Sequence, residues 1–334
     1  MRIVIAGGAG FVGGHLSYRL VTDGHEVIAL DNLSTGAVRN VARLQESAGF
    51  TLIEHDVVRP VLDVVEGPVD AIFHLASPAS PDDYDRLPLE TLAVNSDGTR
   101  NLLDLARDRG ASLLYTSTSE IYGDPLVHPQ PESYWGNVDP IGPRACYDEG
   151  KRFGEALITS YRRVHGVRAA IVRLFNTYGP GMRLDDGRVI PELAAAALAG
   201  RPLRVHGDGS QTRSFQYVDD LVSALVAVGL DPDLDGLVVN IGNPHEVTMN
   251  ELALRIARLV PGAGPIEHVT GRPGDPQRRR PDITRIQARY GWAPTVELDE
   301  GLRRTLRPLL HAREGSTESI EQLSAAPAVG GEVS

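Results

Sequence analysis

The chain has 334 residues, 42% hydrophobic and 23% charged, enough for one large α/β domain or two smaller ones. A net charge of −11 argues against a nucleic-acid or anionic-membrane surface. The single Cys146 excludes an internal disulfide, and an apolar run starts directly after Met1-Arg2, so the expectation is a cytoplasmic protein without a leader.

In chain order, Arg2 to Ala6 reads as a buried strand, and Gly7-Gly8-Ala9-Gly10-Phe11-Val12-Gly13 follows it. Glycines at 7, 10 and 13 suit a tight turn, a close backbone approach to a pyrophosphate, and amides at a helix N-terminus. The helix is expected over about 11–21, with Gly24 as its stop. The next strand, Glu26 to Leu30, ends at Asp31, about twenty residues after the glycines, where an acid bonds the adenosine ribose. An acid there repels a 2′-phosphate, so NAD rather than NADP is the expected cofactor. Asn32, Ser34, Thr35 and Gly36 continue along the ribose. Further strands, 51–55 ending at Asp56-Val57 and 70–75 ending at Leu75, alternate with helical segments. That alternation predicts a doubly wound parallel sheet with ligands at its C-terminal edge. Ser77 falls in a proline-bordered loop at that edge, a wall over the cofactor. Residues 87–108 read as one long helix whose apolar positions face the sheet or a second subunit.

The strand Ser112 to Tyr115 runs into Thr116-Ser117-Thr118-Ser119-Glu120. A second stretch, Tyr147-Asp148-Glu149-Gly150-Lys151, opens a helix, where positions four apart share a face. A hydroxyl, a carboxylate, a phenol and an ammonium then converge beside the dinucleotide. A tyrosine near pKa 10 must lose about three units, roughly 4 kcal/mol, to act as a base at neutrality. An adjacent lysine and a cationic nicotinamide both favour the phenolate. Tyr147 is therefore read as the base toward a sugar hydroxyl, and Lys151 as lowering its pKa and holding the nicotinamide ribose.

These residues, with Tyr122-Gly123-Asp124-Pro125, His128-Pro129-Gln130 and the run Tyr134 to Arg152, resemble the extended short-chain dehydrogenases that modify nucleotide sugars. Within that group they look most like the UDP-glucuronate decarboxylases. Phe175 to Pro180, Asp186 to Val189 and Gly207 to Phe215 carry the resemblance across roughly 1–310. It implies NAD-dependent oxidation at C4 of UDP-glucuronic acid, loss of CO2 from the β-keto acid, and re-reduction to UDP-xylose. The related 4,6-dehydratases carry an aspartic acid where this chain has Ser119. A substrate with a C6 carboxylate has no hydroxyl to expel there, and an aspartate would repel it.

The resemblance implies catalytic roles for Thr118, Ser119, Glu120, Tyr147, Lys151 and Arg279. Thr118 bonds the C4 oxygen, Ser119 lies near the carboxylate, and Glu120 positions the ring or handles protons. It also implies substrate contacts at Tyr84, Arg144, Asn176 and Arg213, and cofactor contacts at Phe11, Val12, Thr177 and Arg188. Tyr217 reads equally as core or as sugar contact. In the basic run 271–282, Arg279 is the candidate for the sugar carboxylate or for proton delivery to C5. Arg272 resembles the phosphate-binding arginine of the epimerases.

The expected organisation is a nucleotide-binding domain over 1–175 that also receives later segments, a smaller intertwined substrate lobe over 176–312, and a disordered tail over 313–334. A homodimer through helices near 88–108 and 147–165 is expected, and neither nucleic acid, membrane nor metal. Two rivals remain: a nucleotide-sugar 4-epimerase or 4,6-dehydratase, and a non-catalytic NAD-binding regulatory protein.

Overall fold

The protein is described by a computed structural model covering residues 1–271 and 278–315. β1 (Arg2–Ala6) leads through the glycine turn into α1 (Phe11–Thr22), followed by β2 (Glu26–Asp31), β3 (Phe50–Glu54) and β4 (Ala71–His74). Two short helices, α2 (Pro81–Arg86) and α3 (Pro88–Ala93), each start on a proline, where a missing N–H costs nothing. α4 (Thr99–Arg109) ends at Gly110 in the left-handed region, and β5 (Ser112–Thr118) follows. α5 (Ala145–His165) and β6 (Ala169–Leu174) complete the first half.

The second half contributes β7 (Thr177–Tyr178), α6 (Val189–Leu198), β8 (Leu203–His206), β9 (Thr212–Ser214) and β10 (Gln216–Tyr217). Then come α7 (Val218–Gly229), β11 (Val238–Ile241), β12 (Glu246–Thr248) and α8 (Met249–Leu259), the last opened by a Thr248–Glu251 capping box. β13 (Ile266–Val269), β14 (Arg278–Arg279), α9 (Thr284–Tyr290) and α10 (Leu298–Gly315) finish the chain described.

Seven strands form one parallel sheet in the order β11-β6-β5-β4-β1-β2-β3, as the alternating pattern predicts. Both faces are covered, which is why its strands read as continuous apolar runs. Ile3 and Ile5 point into one core layer with Ala29, Phe73 and Leu221, while Val4 and Ala6 point into the other with Ile28, Leu102 and Leu113. The chain leaves β1 toward β2 on one side and resumes with β4 on the other, so a crevice opens over the C-terminal ends of β1 and β4. β11, from the second half, pairs with β6 at the sheet edge. The remaining strands make a small sheet, β12-β9-β14, and a β13-β8 pair beside α6 and α8.

Two expectations need correction. The single helix over 87–108 is broken: Val94–Gly98 is a π-helical turn between α3 and α4. Buried Asn95 explains it. Its Nδ2 donates to Thr91 O (2.8 Å) and Ser77 Oγ (3.0 Å), and its Oδ1 accepts from the Tyr115 hydroxyl (2.9 Å). A wider turn lets that side chain serve the sheet and the edge loop, a common use of π-bulges near functional sites. Leu102, Leu103 and Leu105 are buried, whereas Leu89 and Leu92 stay exposed. Residues 313–315 of the expected tail belong to α10; the rest of it lies outside the described residues.

Asn95→Ala leaves the buried Tyr115 hydroxyl without an acceptor and is expected to cost about 2 kcal/mol of stability. Tyr115→Phe in the Asn95→Ala background should recover part of that loss, as read from urea unfolding midpoints.

Candidate active site

The glycine turn is built for close approach. Gly7 has φ +80°, and a Cβ there would sit 2.8 Å from Ala76 N; a Cβ on Gly13 would sit 2.0 Å from Gly7 O. α1 begins just after Gly10, its N-cap, with no side-chain cap and no acidic residue in its first turn. Its amides and the positive end of its dipole are left for an anion. At the end of β2, buried Asp31 accepts from the N–H groups of Ala9 and Leu33 (2.9 Å each). Burial raises its carboxyl above the ordinary value, against those amides. Gly36 lies so close that a Cβ would meet Asp31 Oδ1 at 2.7 Å. Asn32 Nδ2 donates to Asp56 Oδ2 (3.1 Å), and Ser34 N donates to Asn32 Oδ1 (3.1 Å), joining the loops after β2 and β3. Val57 is buried against Gly98 of the π turn. This arrangement fits a dinucleotide: an open, uncapped helix terminus beside a carboxylate anchored by backbone amides.

Next to the turn lies a cavity of about 300 Å³. Its walls include Phe11 and Val12 of α1, Leu75 and Ser77 after β4, and Tyr84 of α2. Thr118, Ser119, Glu120, Arg144, Tyr147 and Lys151 line the opposite side, and Asn176, Thr177, Arg188, Arg213 and Arg279 close it from the second half. Residues from Phe11 to Arg279 meet here.

The Thr118 hydroxyl accepts from Glu120 N–H (3.2 Å), which sets the tight 3-10 turn Ser119–Tyr122 at the strand end. Tyr147 and Lys151 face the cavity one turn apart on α5, both buried. The Tyr147 ring stacks on Tyr84, with centroids 5.2 Å apart and 13° between planes. Lys151 Nζ donates to Thr116 O (2.9 Å) and lies 4.9 Å over the Tyr115 ring. Burial pushes Lys151 down to about 7. Burial also pushes the Tyr147 phenol up to about 12, with the Thr118 hydroxyl working the other way.

In the cofactor-free chain Tyr147 is not depressed, because desolvation outweighs its neighbours and the Lys151 ammonium is directed at a backbone carbonyl.

Glu120 is held from two sides, by Arg279 Nη1 at Oε1 and by Arg144 Nη2 at Oε2. Burial works to raise its carboxyl, but Arg279 and Arg144 hold it below the ordinary range. Nε and Nη2 of Arg279 are buried and have no partner among the described residues. Beside them, burial and then Glu120 push Asp148 up to about 7, and its Oδ1 is also without a partner.

Arg279 reaches Glu120 because buried Gln130 stitches its strand to the loop before α5. Gln130 N donates to Arg280 O (2.9 Å), Arg280 N to Gln130 Oε1 (2.8 Å), and Asp282 N to Gln130 O (3.0 Å). Sequence reading placed Gln130 and Asp148 within motifs but gave neither a role. A buried amide and a buried acid carry no local signal of what lies across the fold.

Arg188 chelates Asp186 Oδ2 through Nε and Nη2 (2.9 and 2.6 Å) while facing the cavity. Arg213 is buried on β9, and Thr177 Oγ1 accepts from Gln216 Nε2 (3.0 Å). Tyr217, left open between core and sugar contact, belongs to the core. It packs edge-on to Tyr178 (5.7 Å) under Arg304 and does not line the cavity, because β10 turns its ring toward α10. Arg272 lies outside the described residues.

The chain is similar to proteins whose chemistry is named. It is 50% identical over 305 residues to UDP-glucuronic acid decarboxylase 1 of Xenopus tropicalis, covering 91% of this chain and 71% of that protein. UDP-glucuronic acid decarboxylase 5 of Arabidopsis thaliana is 51% identical over 303 residues, covering 90% and 87%. Among solved structures, a dTDP-glucose 4,6-dehydratase of Streptomyces venezuelae with NAD bound superposes with a TM-score of 0.83 at 29% identity, covering 92% and 96%. The model of the NAD dependent epimerase/dehydratase family matches residues 3–242, a span that runs from the first strand of the large sheet to its last. Glycine turn, Asp31 and the Tyr147–Lys151 helix all fall within that span, and the chain belongs to this family.

Proposed function

We propose that this chain converts UDP-glucuronic acid to UDP-xylose and CO2 with no net redox change. The observation that carries the reading is the Ser119–Glu120–Arg279 arrangement. Ser119 supplies no acid to help a C6 hydroxyl leave, and Glu120 already satisfies one edge of Arg279. The other guanidinium N–H groups are buried and open, a setting that suits a carboxylate. The decarboxylases at 50 and 51% identity support the same substrate.

Bound NAD supplies a hydride acceptor at C4, gives the same hydride back at the end, and with its cationic ring favours a Tyr147 phenolate. Tyr147 takes the proton of the C4 hydroxyl, and Thr118 hydrogen-bonds the C4 oxygen. With C4 oxidised, the C6 carboxylate is β to a ketone. The C5–C6 bond then breaks to CO2 and an enolate, which is protonated at C5. Arg279 holds the carboxylate in line, and Glu120 keeps Arg279 and Arg144 aimed at the sugar. Asn176 and Arg213 take the diphosphate side, Tyr84 lines the sugar, and Lys151 holds the nicotinamide ribose.

Asp31 selects NAD over NADP, because a second anion beside an amide-bound carboxylate is repelled. Exposed Leu89, Leu92, Phe153 and Val164 on α3 and α5 support a homodimer through those helices. The unpaired Cys146 suits a reducing cytoplasm. Among the described residues no helix is long and apolar enough to cross a membrane.

Incubation with UDP-glucuronic acid and NAD should lower the nucleotide-sugar mass by one CO2 with no lasting NADH. An unchanged mass would sink the reading. Tyr147→Phe should lower kcat by about 10²–10⁴, measured as CO2 release; near-native turnover would remove Tyr147 from its role.

The Lys151 shift predicts a pH effect on the cofactor-free protein. Unfolded Lys151 keeps its proton to about 10.4, while the folded form loses it near 7, so between these values the unfolded state binds more protons and stability rises with pH. Melting temperatures of wild type minus Lys151→Met should therefore climb from pH 7 to pH 10, and a flat difference would contradict the buried-ammonium account.

A further inference from the structure

We infer that Arg183 is a latch that ties residues 181–188 across the dinucleotide crevice and keeps the cofactor bound through the reaction. The inference rests on the dinucleotide reading of the crevice and does not require the choice of sugar substrate. In the sheet, β1 lies between β4 and β2. The loop after β2, carrying Thr35, and the helix after β4, carrying Asp83, therefore flank the glycine turn on opposite sides. One guanidinium spans both. Arg183 Nη2 donates to Asp83 Oδ1 and Oδ2 (3.0 and 3.2 Å), and Nη1 reaches Thr35 O at 3.5 Å. The segments it joins flank the uncapped N-terminus of α1, which adjoins the cavity and carries no acidic residue in its first turn.

The anchor is built for a charge. Asp83 is 6% exposed. Burial works to raise its carboxyl, but the Ser80 hydroxyl (2.8 Å) and Arg183 outweigh it and hold it below the ordinary value. The far end of the strap is seated as closely. Gly187 has φ +74°, and a Cβ there would lie 2.5 Å from Asp82 Cγ. Met182, just before Arg183, and Gly187 and Arg188 at the far anchor line the same cavity as Phe11 and Val12. A dinucleotide lying from Asp31 to Lys151 would pass beneath this strap, and its departure would require the Arg183 contacts to break. Asp83 also precedes Tyr84, which stacks on Tyr147, so the same latch steadies the ring beside the base.

Retention matters for the outcome. The oxidised, decarboxylated sugar is still a ketone, and only the hydride held as NADH can finish the reaction. If the cofactor escapes at that stage, UDP-glucuronic acid and NAD⁺ become a UDP-4-ketopentose, CO2 and NADH. The C4–H bond is broken with its hydride on the released NADH, and the proton from the C4 hydroxyl balances the one taken up at C5.

The test measures NADH dissociation by stopped-flow fluorescence from preloaded full-length protein, chased with excess NAD⁺. Arg183→Ala and Asp83→Ala should each release NADH about tenfold faster, and the double variant no faster than either alone. Arg183→Lys, which keeps the charge but cannot span both partners, should fall in between. Arg86→Ala removes the exposed arginine that also pairs with Asp83 (3.2 Å) and should leave the rate unchanged. Rates within twofold of wild type for Arg183→Ala and Arg183→Lys would overturn the latch, as would an equal effect from Arg86→Ala. In turnover, Arg183→Ala should accumulate free NADH and the 4-keto sugar. If the wild type leaves UDP-glucuronic acid unchanged, the substrate reading fails while the dissociation rates still decide the latch.

Discussion

The site depends on one buried carboxylate, Glu120, caught between two guanidiniums. Arg144 comes from the loop ahead of α5 and Arg279 from the small sheet of the second half, 24 and 159 residues away along the chain. An uncompensated anion at this depth would cost several kcal/mol. The folded state therefore needs both partners in place, and bringing them there closes the small lobe over the ends of β5 and β6. Arg279 still has open N–H groups, so an ion pair that organises the fold also leaves a binding edge for an anion.

Lys151 and Tyr147 show a second constraint. The ammonium is buried among a carbonyl and an aromatic face, with no carboxylate paired to it among the described residues. Both groups are held away from their charged forms by desolvation, and the nearest remedy is a ligand that brings charge of its own. An apo site that opposes charging Tyr147, and a cationic cofactor ring that would favour it, tie the proposed proton transfer to cofactor binding. A strap across the crevice acts in the same direction, because chemistry that lends a hydride and takes it back needs the cofactor to stay.

Much of the nucleotide half was legible because its signals are local. The spacing of Gly7, Gly10 and Gly13 reports a turn whose Cβ positions are occupied by backbone. Asp31 reports the end of the next strand. Tyr147 and Lys151 are one helical turn apart, so their shared face follows from periodicity. Runs such as Ile3 to Ala6 announce a parallel sheet, since only strands covered on both faces can afford them. The break at Val94–Gly98 was not legible, because it answers Asn95 contacts with Ser77 and Tyr115 that lie outside its own helix. Tyr217 was ambiguous in sequence for the same reason: an aromatic at a short strand end can face either way until α10 is packed against it.

The sequence by itself determined most elements of the nucleotide half, their assembly into a parallel sheet, and the chemical identity of many of the groups that line the cavity, since backbone sterics and periodicity act over a few residues. Tertiary structure alone decided which charges meet. Gln130 stitching Arg279 toward Glu120, the desolvation that sets Lys151 and Tyr147, and Arg183 spanning Thr35 and Asp83 all arise between segments far apart in the chain. Their energies depend on distance and burial in space, and no spacing in sequence encodes either.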